Sequence, residues 1–424
     1  MGLRRRMALV VVSVVATPLA VGGCTTERKA TVRSVEREVP APEPKVTVTP
    51  ADRSRDVPVS AEVTALATGG KIVVVRIADD RGMLVRAERR EDGSTWVPTV
   101  PLRPRSTYTV EATAVGDSGR TTTRTATFTT TAASTKPQVT STLYVADGRT
   151  YGTAMPVTVG FDPPIAERAR AEVQRRLFVT TDPPQPGTWS WVDDGSQVYY
   201  RAPDFWRPGT TVGVRAALEG LPIGGNRVGD TDRTATFRIG RQVALEIDNA
   251  TKQMRVLRDG TVIRRIPVSL GKASTPTSSG RMVIMEKHQR TTFDTRGEPN
   301  GGYVVNVADA QRLTWGGEFI HGAPWSVSDQ GHRNVSHGCT NVSPADADWL
   351  MGVTQVGDLV TVTGTEVRLE SGNGWTAWNT SWEQFVKGSA LPVPDGLRPA
   401  PTATPRPGAV AGGSPTPGPA ASVG

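Results

Sequence analysis

The sequence is poor in cysteine, histidine and aromatic residues. It holds two cysteines and four histidines in 424 residues, and aromatic residues make up 6% of the chain. Two cysteines cannot build the disulfide framework of a small secreted domain, so the chain must fold on its apolar cores. No run of basic residues is interleaved with aromatic ones, which argues against a nucleic-acid partner. No apolar run reaches the ~20 residues that a membrane-spanning helix needs.

Glycine, proline, valine and threonine are plentiful, with 44 glycines and 33 prolines. Valine and threonine favour strands, while glycine and proline favour turns. The composition therefore predicts a mainly β protein, and the length predicts two to four domains.

Residues 1–23 are typical of an export signal. Arg4, Arg5 and Arg6 precede an apolar stretch from Met7 to Val21. The small residues directly before Cys24 resemble a bacterial lipobox, which implies that Cys24 is lipidated and anchors the chain to the outer face of the cell membrane. The alternative is an ordinary cleaved signal with an incidental cysteine. The net charge of +8 includes the three signal arginines, and the remaining basic residues are spread out, as on a solvated surface near anionic lipids or wall polymers.

Residues 24–45 are charged and end in prolines, which predicts a disordered tether. Residues 46–134 and 137–240 both show short alternating strands separated by turns, and each block ends in the sequence RTATF, at 124–128 and 233–237. We interpret the blocks as two tandem immunoglobulin-like β-sandwiches that arose by duplication. Aromatic residues at positions 189–206 of the second block fit either a sugar-binding platform or buried packing.

Residues 243–364 predict a third, β-rich domain with short helices. Asp259-Gly260 indicates a hairpin turn, and Ser343 is placed to cap a short helix that begins at Pro344. The polar stretch 288–302 predicts a lid over a site. Residues 365–390 form a Trp-rich extension that we expect to pack on this third domain. Residues 391–424 are Pro-rich and are predicted to be disordered.

The segment from His321 to Asn341 contains three of the four histidines and Cys339. A thiolate stabilised by a nearby imidazole is a nucleophile, and a glycine beside it leaves backbone N–H groups open for an oxyanion hole. His321, His332 and His337 are the candidate bases, and Gly338 is the candidate oxyanion glycine. Two alternatives remain at this point: a zinc site and an inert buried cysteine.

His321-Gly322-Ala323-Pro324-Trp325-Ser326 followed by Ser336-His337-Gly338-Cys339-Thr340-Asn341 resembles the signature of the L,D-transpeptidase (YkuD-type) catalytic domain. The order of signal, two sandwiches, catalytic domain and Trp-rich extension is similar to that of actinobacterial lipoprotein members. The resemblance implies that Cys339 is the nucleophile and His321 the general base, oriented by the Gly322 carbonyl. It further implies an oxyanion hole at residues 337–339 and a substrate pocket shaped by these residues: Tyr303, Trp325, Ser336 and Asn341.

The implied reaction is the formation of 3→3 crosslinks between peptidoglycan stem peptides. A thioester forms on the cysteine, D-alanine leaves, and the side-chain amine of a second stem attacks. The family needs no metal or organic cofactor and is generally acylated by carbapenems. Rival hypotheses are an L,D-carboxypeptidase that uses water as acceptor and a non-catalytic wall-binding lipoprotein. Stem peptides and the membrane are the expected partners of a monomer, with no nucleic acid.

Overall fold

A computed structural model describes residues 43–90, 92–296, 302 and 304–399. These residues form three β-rich regions in chain order, each built from two sheets. The expected signal, Cys24 and the tether up to residue 42 lie outside the described residues, and so do Tyr303 and the chain beyond residue 399.

The first region is a sandwich of two four-stranded sheets, ordered β1-β3-β6-β5 and β2-β8-β7-β4. Alternating small and apolar residues such as Val63, Val110 and Phe128 face inward and form its core. The strands are β1 Lys45–Thr49, β2 Ser54–Val57, β3 Val63–Thr68, β4 Gly70–Asp79, β5 Ala87–Arg89, β6 Thr95–Pro98, β7 Thr107–Gly116 and β8 Thr121–Thr130.

The second region pairs a four-stranded sheet, β10-β18-β15-β12, with a six-stranded sheet, β13-β14-β11-β9-β17-β16. Its elements are β9 Gln138–Leu143, β10 Thr150–Tyr151, β11 Val157–Asp162, α1 Glu167–Gln174, β12 Leu177–Asp182, β13 Thr188–Trp191, β14 Gln197–Arg201, β15 Thr211–Ala216, β16 Pro222–Gly224, β17 Arg227–Gly229 and β18 Arg233–Ile239. The aromatic side chains between residues 189 and 206 are mostly buried in its core, so the packing interpretation is confirmed.

The two RTATF segments occupy equivalent places. The first lies in β8, which pairs with β2 in parallel and β7 in antiparallel fashion, and the second lies in β18, which pairs with β10 and β15 in the same way. Asp52 Oδ1 accepts the Thr127 N–H at 2.9 Å, and Asp147 Oδ1 accepts the Thr236 N–H at 2.9 Å. Shared pairing and shared side-chain bonds confirm two sandwiches of one type.

The third region contains a six-stranded sheet, β21-β20-β19-β27-β22-β28, and a four-stranded sheet, β23-β24-β25-β26. Asp259 and Gly260 both have positive φ at the turn between β20 and β21, as the hairpin prediction requires. The elements are β19 Val243–Asp248, β20 Gln253–Arg258, β21 Thr261–Pro267, β22 Ser278–Val283, β23 Glu286–Asp294, β24 Val304–Arg312, β25 Phe319–Gly322, a 3₁₀ turn Pro324–Ser326, β26 Thr340–Val342, α2 Pro344–Val353, β27 Leu359–Thr363 and β28 Val367–Arg368.

Helix α2 begins as the sequence predicts. The Ser343 side chain accepts the Asp346 N–H, and Pro344 occupies the first turn, where its missing N–H costs nothing. Residues 288–294 of the predicted lid belong to β23, which pairs with β24 beyond the end of the lid. Residues 297–301 of the lid lie outside the described residues.

The Trp-rich extension packs on the third domain, as expected, and also on the second sandwich, which was not expected. Trp375, Trp378 and Phe385 belong to one buried cluster that contains the aromatic residues of the second sandwich together with Val283 and Met285 of the third domain. The extension carries α3 Trp382–Lys387 and a 3₁₀ turn Asp395–Leu397. Ordered chain also continues past the expected boundary at residue 391, because Leu397 is buried and its carbonyl accepts the Trp382 indole N–H at 2.9 Å.

Candidate active site

The strands β25 and β26 bring the two candidate catalytic residues together. They pair in parallel with His321 opposite Asn341, so these side chains leave the same face of the sheet. Cys339 precedes Asn341 by two residues and shares that face. The thiol and the imidazole therefore line one cavity of about 300 Å³.

His321 is held as a neutral base. Its ring is 4% exposed, and its Nδ1 is 3.0 Å from the Gly322 carbonyl oxygen, which can only accept a hydrogen bond. Nδ1 therefore carries the proton and Nε2 is the basic nitrogen. Burial lowers the pKa of His321 below its ordinary value and outweighs the carbonyl bond, which acts in the opposite direction.

Cys339 is half-buried at the edge of an apolar cluster that includes Phe293 and Phe319. Its Sγ lies 3.7 Å from the Gly317 carbonyl oxygen, to which the thiol donates. Partial exposure leaves the sulfur accessible to a substrate, while the apolar wall on one side keeps water from surrounding it. This setting suits a nucleophile better than a structural core cysteine.

Ser336 fixes the turn that presents the thiol. Its hydroxyl donates to the Cys339 carbonyl at 2.6 Å and accepts the Gly338 N–H at 3.1 Å. Gly338 has a φ of +124°, a conformation that a side chain would disfavour. The N–H of Gly338 donates to Ser336 in this conformation. The oxyanion hole expected at residues 337–339 stays a prediction.

Asn341 is the most deeply buried polar group of the cavity. It is 2% exposed, and its Nδ2 donates to Ser326 Oγ at 3.0 Å. Its Oδ1 is buried and has no hydrogen-bond partner among the described residues. A buried amide oxygen without a partner costs about 1–3 kcal/mol. Asn341 Oδ1 is therefore suited to accept a hydrogen bond from an N–H group of a ligand.

The remaining predicted residues fall into three groups. Trp325 is 56% exposed at the cavity mouth, with its ring 5.9 Å from that of His321. His337 lines the cavity two residues before the thiol. His332 is exposed, outside the cavity. Tyr303 lies outside the described residues, so its predicted place in the pocket stays a prediction.

Sequence reasoning missed one wall of the cavity and a buried carboxyl beneath the turn that presents the thiol. Phe293 and Val305 come from the β23–β24 hairpin and line the cavity beside His321. Glu318 lies under Gly338, where its Oε1 accepts the Ser278 N–H at 2.8 Å and burial raises the pKa of its carboxyl. A hydrophobic residue in the lid segment was the available signal for Phe293, whereas nothing local marks Glu318.

The zinc alternative requires three or four ligands that converge on a point. Across residues 43–90, 92–296, 302 and 304–399, the structure contains no group of three or more histidine, cysteine, aspartate or glutamate side chains placed to hold a metal ion. The cavity instead pairs one thiol with two imidazoles. That set is suited to acyl transfer, with a thiolate nucleophile and a neutral base.

Comparison with known proteins identifies the two kinds of domain and several similar chains. Residues 54–222 match the model of a bacterial Ig domain, and residues 242–362 match that of an L,D-transpeptidase catalytic domain. L,D-transpeptidase 2 of Mycobacterium tuberculosis is 36% identical over 82% of this chain and 85% of its own, and L,D-transpeptidase 5 of the same species is 34% identical over 86% and 81%. A solved structure of an L,D-transpeptidase in complex with imipenem is 33% identical, covers 54% of this chain and 99% of its own, and superposes with a TM-score of 0.45.

Proposed function

The chain belongs to the L,D-transpeptidase family and is a peptidoglycan L,D-transpeptidase, and on that premise we propose that Cys339 is its nucleophile and His321 its general base. One observation carries this assignment. A half-buried thiol and a buried imidazole, whose Nδ1 is committed to a carbonyl, open into the same cavity. The Gly322 carbonyl acts as the orienting group, in the place that a carboxylate takes in other triads.

In the first half-reaction, His321 Nε2 takes the thiol proton and the sulfur of Cys339 attacks the carbonyl carbon before the terminal D-alanine of a stem peptide. The S–C bond forms and the C–N bond breaks, and the imidazolium returns the proton to the departing amine. In the second half-reaction, the amine of an acceptor stem gives a proton to His321 and attacks the thioester, and the thiolate leaves. The lowered pKa of His321 keeps it able to take each proton at neutral pH.

Asn341, Trp325 and Ser336 are proposed to shape the stem-peptide site. Asn341 Oδ1 is assigned to a substrate N–H, because it is a buried acceptor without a partner in the described chain. Trp325 covers the mouth, where its exposed ring offers apolar contact. Ser336 acts indirectly, through the turn that holds the thiol. Tyr303 is assigned to the same site from the motif alone.

The experiment is to incubate the purified protein with a disaccharide tetrapeptide and to resolve the products by mass. We expect a crosslinked dimer and free D-alanine, and no product with Cys339→Ala. Tripeptide without dimer would assign the protein as a carboxypeptidase that uses water. Full crosslinking by Cys339→Ala would refute the nucleophile assignment, and no product with the wild-type protein would favour a wall-binding role.

Cys24 is proposed to be acylated and to anchor the protein to the membrane, with the catalytic domain outside the membrane in the cell-wall space. The support is the sequence at residues 4–24. Across residues 43–90, 92–296, 302 and 304–399 no helix is long and apolar enough to cross a membrane. Mass analysis of the mature N-terminal peptide tests the proposal. A diacylglyceryl-modified Cys24 is expected, and an unmodified peptide would contradict it. We further propose that the protein is a monomer, which light scattering tests.

A further inference from the structure

A lysine outside the signature motif lies beside the catalytic cavity. Lys272 Nζ is 2.9 Å from Nε2 of His337, and His337 lines the cavity two residues before Cys339. A lysine ammonium can only donate, so the imidazole nitrogen is the acceptor in this contact. Lys272 therefore brings a positive charge to the rim of the cavity.

Lys272 is fixed relative to the thiol by backbone bonds. Its N–H donates to the Ser336 carbonyl at 2.9 Å, and the Ser336 N–H donates to the Leu270 carbonyl at 3.0 Å. Thr277 adds a further tie, because its hydroxyl donates to the Gly338 carbonyl at 2.8 Å. The segment from residue 270 to residue 277 is thus attached to the turn that presents Cys339. The backbone of Lys272 is held by these bonds, and its ammonium is placed by the contact with His337.

The charge of Lys272 is not neutralised by the described chain. The residues that line the cavity include no aspartate or glutamate, and Lys272 makes no ion pair with a described carboxylate. Glu318 is the acid beneath the turn. Its carboxyl accepts the Ser278 N–H, and its pKa is raised by burial, which favours the neutral form. An anion is therefore the natural partner for the ammonium at the rim.

We propose that Lys272 recognises the free carboxylate of the terminal D-alanine on the donor stem. The inference rests on the function proposed above and assigns a specificity residue to the same site. In the donor, that carboxylate carbon is three bonds from the scissile carbonyl carbon, so it must lie close to Cys339 when the bond is attacked. One N–H of the ammonium contacts His337, and the other two are available for the carboxylate. Lys272 thereby selects stems that end at this residue.

The test compares two donor tetrapeptides that differ only at the C-terminus, one with the carboxylate and one with a carboxamide. A charge-assisted hydrogen bond in a half-buried site corresponds to about a tenfold preference in kcat/KM for the carboxylate. We expect Lys272→Met to reduce this preference to about one, with the loss in KM, and Lys272→Arg to retain most of it. Lys387→Met, which removes a lysine from α3, is the control and keeps the full preference.

A second measurement separates this inference from the transpeptidase assignment. The rates at which iodoacetate and iodoacetamide alkylate Cys339 need no peptide substrate, and their ratio reports the attraction of an anion to the thiol. The ratio should fall severalfold in Lys272→Met and stay unchanged in Lys387→Met. If Lys272→Met keeps both the donor preference for the carboxylate and the wild-type alkylation ratio, the inference is overturned and Lys272 only stabilises the loop in which it lies. If crosslinking fails in the wild type while the alkylation ratio still falls in Lys272→Met, the anion site stands and the function proposed above fails.

Discussion

The second sandwich has two neighbours in the chain, and it meets them by different physical means. Towards the first sandwich the contacts are polar: Glu62 lies 3.1 Å from Arg176, and Arg90 donates to the Arg175 carbonyl at 2.8 Å. Towards the third domain the contact is a shared core, in which Trp375, Trp378 and Phe385 pack with Val283 and Met285.

Arg201 of the second sandwich makes several buried contacts with the Trp-rich extension at the junction with the third domain. It is 2% exposed and its guanidinium donates to the Ala377 carbonyl at 3.0 Å. It also lies over the rings of Trp378, Trp382 and Phe385 at 4.3–5.1 Å. Burial lowers its pKa to about 10, which still leaves it charged at neutral pH. From this difference we expect that the second sandwich, the extension and the catalytic domain unfold together, and that the first sandwich, which is joined by polar contacts, unfolds separately.

Trp378→Ala tests the junction between the second sandwich and the catalytic domain and has the largest expected effect. The indole is 5% exposed, donates to the Ala154 carbonyl at 2.7 Å and packs against Phe205. Its removal leaves a cavity, so we expect a loss of about 3–5 kcal/mol in the free energy of unfolding, with loss of crosslinking activity at the same urea concentration. Urea unfolding followed by fluorescence and by activity measures both.

Phe128→Ala is the matched substitution in the first sandwich, where the ring is 1% exposed. We expect a similar loss of stability there, about 3–5 kcal/mol, while the activity transition stays at its wild-type urea concentration. A shift of the activity transition by the same amount would show that the two junctions are energetically alike.

The shared junction also predicts a pH dependence, because Asp358 is buried there beside Gly152. Burial raises the pKa of Asp358 from 3.8 to about 7. The folded state therefore binds this proton more tightly than the unfolded state, and stability falls as the pH rises from about 4 to about 7. Asp358→Asn should remove this pH-dependent loss of stability, which is on the order of 4 kcal/mol in the free energy of unfolding, and stabilise the protein at pH 8. Unfolding midpoints across that range test it, and an unchanged slope in the variant would contradict the assignment.

Glu62→Gln tests the polar junction and has a smaller expected effect. It removes the charge that faces Arg90 and Arg176. We expect a loss of about 1–2 kcal/mol, because the charge that faces the mostly buried Arg90 and Arg176 is lost while the glutamine amide oxygen can still accept their hydrogen bonds. Faster proteolysis between residues 131 and 137 with unchanged crosslinking is the expected result. Reduced crosslinking would mean that the first sandwich supports the catalytic domain.

The pH dependence of activity reports on His321 in the cavity, whereas the pH dependence of stability reports on Asp358 in the junction. Burial lowers the pKa of His321, so this residue stays neutral and able to act as a base at pH values where an ordinary imidazole is protonated. The acid limb of the rate of Cys339 acylation should therefore lie below pH 6.5, the ordinary value for histidine. An acid limb at or above that value would exclude His321 as the group that titrates.

The sequence predicted the turns, the helix cap and the candidate catalytic residues better than it predicted which distant segments pack against each other. The turn at Asp259-Gly260, the cap at Ser343 and the pair of His321 and Cys339 all depend on local rules, such as positive φ, side-chain capping and motif spacing. The packing of the Trp-rich extension on the second sandwich was not predictable, because buried aromatic area does not specify which surface covers it. Phe293 and Lys272 were missed for a related reason: they reach the cavity through strand pairing between distant segments, and neither stands out in its own neighbourhood.

Acylation by a carbapenem is the measurement that tests the central claim most directly. The wild-type protein, Cys339→Ala and His321→Gln are each incubated with the antibiotic, and the adduct is followed by intact mass and mapped by peptide digestion. The geometry predicts one adduct, on Cys339, that forms much more slowly in His321→Gln and is absent from Cys339→Ala. An adduct on another residue, or equal rates in the wild type and His321→Gln, would contradict the assignment of Cys339 as nucleophile and His321 as base.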